Sequence, residues 1–502
     1  MSNRAATVKT ARRILRRIAA MALLALVVVV GVNTVRQESR QPQVAAVEPL
    51  AIDEHAAAER LAGGVQIMTI SRDDAHPADA GELLKLHAYL ERRYPRAHAA
   101  LKRERIGNYS LLYTWPGTDA GARGILLMAH QDVVPISPGT ETQWQAPPFS
   151  GEIRDGFIWG RGTWDDKGNL FAILEAVELL VNHDFRPTRT VYLAFGHDEE
   201  LGGMRGTHVV AAALRARGVR LAFVLDEGLP ITEGVFPGFD NSLALIGVAE
   251  KGYVDVVLSL TTASGHSSVP PARTAIGRMS AALARIERNP APAAIRGATR
   301  EMFETLAPES HVLNRVLFSN LWLFAPLMKG DLERGAATNA MIRSTVALTA
   351  FRAGDKENVL PGYAQAVANI RLLPGDSKEQ LLEHLKREID DDDIALTVKG
   401  IVSDASRVSR TDVPSYRVLA RTVRQIFPDA IVAPGLLVGR TDSRHMEEIA
   451  DEIYRFSPVR ARVEDLPRYH GINERISIAN FADIIRFNYR LIRNAAGESP
   501  SD

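Results

Sequence analysis

The sequence predicts an α/β protein whose largely parallel sheet is interrupted by an α+β insertion. Three observations support this. Short, continuous apolar runs alternate with amphipathic helical patterns up to about residue 249. After Leu245 the pattern changes to half-exposed alternation, and after about Val402 the first pattern returns. Continuous apolar runs suit strands covered on both faces, whereas alternation suits a sheet with one wet face.

At the N-terminus, Arg4, Lys9, Arg12, Arg13, Arg16 and Arg17 precede an apolar run from Ile18 to Val32, broken only by Gly31. A cleaved signal peptide, an uncleaved signal anchor and an amphipathic surface helix all compete for this segment. It is apolar right around the helix, which disfavours the third. No clean small-x-small cleavage site follows, and counted out to Val35 the run approaches the length of a span. Residues 1–36 are therefore expected to be a membrane anchor, or a signal peptide if cleaved. Its basic flank would stay in the cytosol and the rest of the chain would lie outside it, periplasmic or otherwise extracytoplasmic, or secreted after cleavage. Residues 37–59, with Pro42 and Pro49 among Ala, Gln and Glu, are expected to be a linker.

A first segment of the main domain is expected over 60–249. Gly81–Tyr94 reads as a helix and Tyr109–Trp115 as a strand. Gly124–Ala129, Thr190–Phe195 and Leu221–Leu225 read as buried strands. Between them, Lys167–His183 is helical, with Leu170, Ile173, Leu174, Val177 and Leu180 on one stripe, and Thr207–Arg217 is a second helix. The insertion spans 250–402: a strand at Gly252–Thr261, a helix at Ala275–Ile286, and a long Ala-rich helical stretch over about 297–335. Strands near Ala364–Leu372 and Ile394–Ile401 then flank a helix from Lys378 to Ile389. A second segment of the main domain fills 403–495, with a tail at 496–502. Asn320–Leu327 reads as a core helix, with an acyl-chain surface through Trp322 and Phe324 as the alternative. The Asp390–Asp393 run reads as a solvated turn.

Composition narrows the chemistry. Lys+Arg and Asp+Glu both number 60, so the net charge is zero and no nucleic-acid partner is expected. There are no cysteines, which excludes disulfides, thiolate zinc sites, iron–sulfur clusters and cysteine nucleophiles. Any metal must be held by His, Asp and Glu. A serine hydrolase would want a Gly-x-Ser-x-Gly elbow, and the simplest mono-zinc protease a His-Glu-x-x-His helix; the chain has neither. Three buried strands end in polar clusters: His130-Gln131-Asp132, His197-Asp198-Glu199-Glu200 and Asp226-Glu227-Gly228. In open parallel sheets ligands bind beyond such carboxyl ends. Asp165-Asp166 adds a carboxylate pair where a helix begins.

The string Leu127-Met128-Ala129-His130-Gln131-Asp132-Val133-Val134-Pro135 resembles the first motif of the di-zinc amidohydrolase and exopeptidase family that includes aminoacylase, carboxypeptidase G and acetylornithine deacetylase. Further blocks follow in family order. They are Trp144…Pro147-Pro148-Phe149, Gly160-Arg161-Gly162-Thr163-Trp164-Asp165-Asp166-Lys167-Gly168 and Asp198-Glu199-Glu200-Leu201-Gly202-Gly203. Then come Leu225-Asp226-Glu227-Gly228, Ser264-Gly265-His266-Ser267-Ser268, Glu357-Asn358-Val359-Leu360-Pro361 and His470-Gly471-Ile472-Asn473-Glu474. The likeness covers about residues 80–490 and is nearest to the yeast carboxypeptidase S and N-fatty-acyl-amino-acid hydrolase branch.

The resemblance implies a zinc-dependent exopeptidase-like catalytic domain with an inserted lid, and two zinc ions per chain. Asp165 would bridge them. His130 and one of Asp226 and Glu227 would complete one ion, and Glu200 and His470 the other. Adjacent strand residues point to opposite faces, so only one of the Asp226-Glu227 pair is expected to reach. Asp132 would orient His130, and the Asp165–Asp166 peptide would be cis. Glu199 would be the general base, and His266 from the lid would help stabilise the oxyanion. Arg371 and Arg444 would hold a substrate carboxylate, with Asn358 assisting. The implied substrate is a small peptide or an N-acyl amino acid, and a homodimer through the lid is a further implication. A non-catalytic binding protein on the same fold should have lost Glu199 or a ligand, yet every position is intact. Among the other histidines, His197 is expected in the core and His445 near the pocket. His55, His76, His87, His98, His183 and His384 are expected to face solvent. Trp164 would either wall the cleft or pack inside.

Overall fold

A computed structural model describes residues 2–45, 47–236 and 238–497. Its centre is an eight-stranded sheet in the order Lys102–Ile106, Ser110–Trp115, Val191–Gly196, Gly124–His130, Leu221–Glu233, Ala450–Arg462, Leu243–Glu250, Ile431–Leu437. Val191–Gly196, Gly124–His130, Leu221–Glu233 and Ala450–Arg462 run parallel to one another, whereas Ser110–Trp115 is antiparallel to both Lys102–Ile106 and Val191–Gly196. Every residue of Gly124–His130 is buried, as its unbroken apolar pattern requires. Ile125, Leu127 and Ala129 pack with the helices Glu54–Val65, Lys167–Asn182 and Ile478–Ala496. Leu126 and Met128 face the helix Thr207–Ala216 on the other side. Helices on both faces hold the strand's carboxyl end rigid at the sheet mouth, where His130 sits.

A second, four-stranded antiparallel sheet has the order Thr345–Ala353, Tyr363–Leu372, Gly252–Thr261, Ala395–Ser403. The helices Ala275–Arg288 and Lys378–Ile389 cover one of its faces. Gly252 lies where the chain enters this unit and Ser403–Ala405 where it leaves. A Cβ on Gly252 would come within 2.6 Å of both Ser403 O and Ala405 N, so the two crossing strands require glycine there.

The structure departs from the sequence expectations in several places. The expected linker over 37–59 is anchored to the domain. The side-chain amide of Gln41 makes two hydrogen bonds to the Val432 backbone, at 2.9 and 2.8 Å, on the last strand of the large sheet. A helix already begins at Glu54, because the Asp53 carboxylate caps Ala56 N at 2.9 Å and Ala57, Ala58 and Leu61 are buried. The expected long helical stretch over about 297–335 is broken into three short helices, Gly297–Leu306, Val312–Ser319 and Leu321–Leu332, with a fourth, Ala336–Ile342, directly after it. Met302, Phe303, Phe318 and Met328 of this group pack on Leu243, Leu245, Ile431 and Ala433 of the large sheet. Side chains of the interval 250–402 therefore contribute to two separate core clusters. The strand Thr345–Ala353 gave no sequence signal, because an edge strand exposed along much of its length carries little apolar pattern. At the C-terminus, the helix Ile478–Ala496 runs to the start of the expected tail. Residues 498–502 lie outside the described range.

The N-terminal helix spans Ser2–Arg36, and its part from Arg12 to Arg36 is long and apolar enough to cross a membrane.

Candidate active site

His130 closes its strand with both ring nitrogens committed. Its Nδ1 donates to the backbone carbonyl of Asp132 at 2.9 Å, with the Asp132 carboxylate 3.5 Å away. This leaves Nε2 facing Asp165 Oδ1 at 2.9 Å and Glu227 Oε1 at 3.4 Å. The other oxygen of Asp165 lies 2.7 Å from His470 Nε2, which is itself 3.5 Å from Glu200 Oε1. The result is two donor groups, His130–Asp165–Glu227 and Asp165–Glu200–His470, that share one carboxylate. The Asp165–Asp166 peptide is cis.

The chain brings these residues together by means visible in the backbone. The Asp132 carboxylate accepts from Glu199 N at 3.2 Å and Glu200 N at 3.3 Å, which ties the second strand end to the first. Glu474 does the same for the far segment. Its buried carboxylate pairs with Arg161 and accepts from Gly162 N and Trp164 N at 2.9 Å and from Asp165 N at 3.3 Å. The loop between His470 and Glu474 is tight: His470 and Asn473 have φ of 56° and 61°. A Cβ on Gly471 would sit 2.0 Å from Pro467 O, so no other residue fits there.

Electrostatics show what this donor set suits. Burial and the Asp165 charge raise the Glu227 carboxyl above its ordinary range, and burial lifts Glu200 to about 7. Glu199 is pushed well up by burial and by the nearby carboxylates of Asp442, Glu200 and Glu227. Asp165 alone goes down: burial opposes its charge, but hydrogen bonds from His130 and His470 outweigh it. Burial likewise works against His470, yet its bonds to Asp165 and Glu200 raise it to about 10. Oε1 of Glu200 is buried and, among the described residues, has only the long 3.5 Å contact with His470 Nε2. Crowded, desolvated carboxylates and imidazoles with a poorly paired oxygen form a donor set suited to divalent cations, whose charge would relieve the repulsion.

Several expected site residues lie elsewhere. Of the Asp226-Glu227 pair, Glu227 faces His130. Asp226 points the other way, accepting from Ser443 N at 2.8 Å and Glu227 N at 3.0 Å. Strand alternation thus sends Asp226 to the opposite face, outside both donor groups, and Glu227 into one of them. Arg444 donates to the carbonyls of Thr441 at 2.6 Å and Gly202 at 2.5 Å, which commits both terminal nitrogens to backbone. Arg371 stands over the Tyr253 ring at 4.7 Å, and Arg440 stands over the same ring at 4.8 Å. Arg440 has a buried Nη1 without a partner, and Glu199 acts electrostatically on its charge. His266 is exposed on the smaller unit, where its Nδ1 meets Ser268 Oγ at 2.8 Å. Ser267 N donates to Asn358 O at 3.2 Å, so those two predicted residues are neighbours but stand outside the metal-donor groups.

His197 is a core residue, with Nδ1 2.8 Å from Ser110 Oγ, and His445 lies 3.1 Å from Gly202 O. His87, expected in solvent, is buried 2.7 Å from Gln131 Oε1, and burial lowers its pKa to about 4. His98 is half-buried with its Nδ1 against Tyr94 O, whereas His183 is exposed as expected, with its Nδ1 3.0 Å from the Tyr489 hydroxyl. Trp164 is buried edge-on to Tyr469, which stacks on His470 at 5.0 Å. In the Asp390–Asp393 run, Asp391 and Asp393 pair with Arg278. Arg440 and Tyr469 were not singled out from sequence, although Tyr469 directly precedes His470 and Arg440 lies four positions before Arg444. Glu474 stood only as the last letter of a motif.

A family model described as "Peptidase family M20/M25/M40" matches residues 126–494. A probable carboxypeptidase S-like protein of Dictyostelium discoideum is 41% identical over 482 residues, covering 94% of this chain and 92% of the relative. An N-fatty-acyl-amino acid synthase/hydrolase of Xenopus tropicalis is 40% identical over 441 residues, covering 87% and 85%. Carboxypeptidase S of Saccharomyces cerevisiae is 31% identical over 483 residues, covering 87% and 83%. Among solved structures, a metallo-carboxypeptidase from Sulfolobus solfataricus aligns with a TM-score of 0.64 at 17% identity, covering 88% of this chain and 99% of that one.

Proposed function

Because the chain belongs to peptidase family M20/M25/M40, we propose that its paired donor groups hold two zinc ions and that it cleaves an amide bond next to a free carboxylate, as a carboxypeptidase or dipeptidase on small peptides. The chain is a hydrolase of the metallopeptidase class. The observation that carries the two-metal reading is the shared carboxylate: Asp165 offers one oxygen to the His130–Glu227 side and the other to the His470–Glu200 side.

His130, Glu227 and Asp165 would hold one ion, and Asp165, Glu200 and His470 the other. When bound, such a pair supplies Lewis acidity and lowers the pKa of water toward neutrality. Glu199 sits beside the cluster with a raised pKa, which suits it to take a proton from water and return it to the departing amine. Asp132 holds the tautomer of His130 and the backbone of Glu199 and Glu200 together, so base and ligands move as one. Arg371 and Arg440, flanking Tyr253, form the guanidinium pair for the substrate carboxylate in place of Arg444. The smaller unit acts as a lid: turning about Gly252, it would bring His266 and Asn358 over the cluster. The N-terminal helix is a signal anchor that leaves the catalytic domain outside the cytosol.

The relatives favour a second reading, hydrolysis of N-acyl and N-fatty-acyl amino acids, which present the same bond and carboxylate. Zinc-supplemented full-length protein assayed on dipeptide, N-acetyl and N-fatty-acyl panels separates the two. In either case Glu199→Gln is expected to abolish hydrolysis with zinc content unchanged. Persistent turnover, or loss of zinc, would remove Glu199 as the base.

A further inference from the structure

The helix Leu321–Leu332 opens Leu-Trp-Leu-Phe-Ala-Pro-Leu-Met, apolar on every side. Its inward side chains are accounted for. Leu321 and Met328 are buried against the large sheet, and Met328 and Phe318 line an apolar cavity of about 230 Å³ together with Phe236, Phe239, Met302 and Phe303. Its outward side chains are not: Trp322 is 56% exposed and Leu327 is 66% exposed. A helix that is apolar all round is not stable against water and needs cover.

The N-terminal helix indicates what provides that cover. Val312–Ser319 runs alongside its outer end: Arg315 donates to Gln37 O at 3.0 Å and to Thr34 O at 3.3 Å. The fully buried Asn320 then reaches deeper. Its amide donates to Thr34 Oγ1 at 3.1 Å and Val30 O at 3.3 Å, and its oxygen accepts from Asn33 at 3.1 Å. At 1.5 Å of rise per residue, Val30 lies about 9 Å below Arg36 along the helix. The corner at Asn320 therefore sits beside the apolar part of the candidate span, and Trp322 follows it by two residues.

We infer that this corner, from Asn320 through Leu327, is seated in the outer leaflet of the bilayer beside the anchor, making a second membrane contact. The inference rests on the reading of the N-terminal helix as a membrane span. Trp322 suits the level of the headgroups, with its indole N–H turned 3.4 Å from Asn320 Oδ1 and its ring free to meet acyl chains. The docked Gln41 and Arg315 contacts make the seating rigid, so the catalytic domain would be held at a fixed attitude to the membrane.

The absence of cysteine permits a clean test. Full-length protein in phosphatidylcholine vesicles carries single Cys substitutions, Trp322→Cys, Leu327→Cys, Val28→Cys or Val269→Cys, each labelled with a fluorophore. Lipid-borne quenchers should act at 322, 327 and 28 with loss of quenching by aqueous iodide, and the order should reverse at 269. Aqueous quenching at 322 and 327 with 28 in lipid overturns the inference and leaves the anchor standing. Aqueous quenching at 28 overturns both. Shielding of 322 and 327 from both quenchers means that protein, such as a second copy of the chain, covers the patch, and also overturns it.

Discussion

At the scale of single residues, the side chains that converge on Asp165 were legible because chemistry restricts them. With no thiols, a metal would take His, Asp and Glu, and His130, Asp165 and Glu200 stand at strand or helix ends. The choice between Asp226 and Glu227 was not legible, since it depends on which face of a strand each residue occupies. Arg440 was missed for a related reason: its meeting with Arg371 over Tyr253 joins positions on three remote segments. Arg440→Ala is expected to cost about 1.5–3 kcal/mol of carboxylate recognition, about tenfold to a hundredfold in kcat/KM, with zinc content unchanged. Equal kinetics of Arg440→Ala and the wild type on substrates with and without a free carboxylate would remove it from the site. His470 supplies a pH test. Its metal-free pKa is raised, so the stability from its pairing is fully present below the free imidazole value of about 6.5. That stability is lost as the pH rises through about 10. A divalent ion must displace the same proton, so zinc affinity should climb across this window. Thermal melting with chelator and with zinc, taken across pH, should give opposite slopes.

At the scale of elements, the buried strands were the most legible because both faces demand apolar residues. The four short helices over 297–342 were the least legible. Their breaks come from packing onto Leu243, Leu245, Ile431 and Ala433, remote partners that leave no local mark. The loop from His470 to Glu474 is the element on which the site most depends. Glu474→Ala would leave Arg161 buried without its partner and free the amides of Gly162, Trp164 and Asp165. Removing one side of such a buried pair costs about 3–5 kcal/mol. A lower melting temperature with weaker zinc binding is expected, and Glu474→Gln, which keeps the acceptor oxygen, should lose less of both. Unchanged zinc affinity in Glu474→Ala would mean that Asp165 is held by other means.

At the scale of the whole molecule, residues from both ends of the chain converge: His130 and His470 are separated by 340 positions and reach opposite oxygens of one carboxylate. Sequence motifs in family order made that convergence expected, while the attachment of the N-terminal segment to the domain could only be seen in the fold. Because Asp165 belongs to both donor groups, the binding of two ions there would be interdependent. Zinc stoichiometry of the purified full-length protein and its Asp165→Ala variant, by elemental analysis after dialysis, tests this most directly. Two zinc ions per chain are expected, with both lost together in Asp165→Ala; retention of two ions by that variant, or a single ion in the wild type that survives it, would contradict the bridged pair.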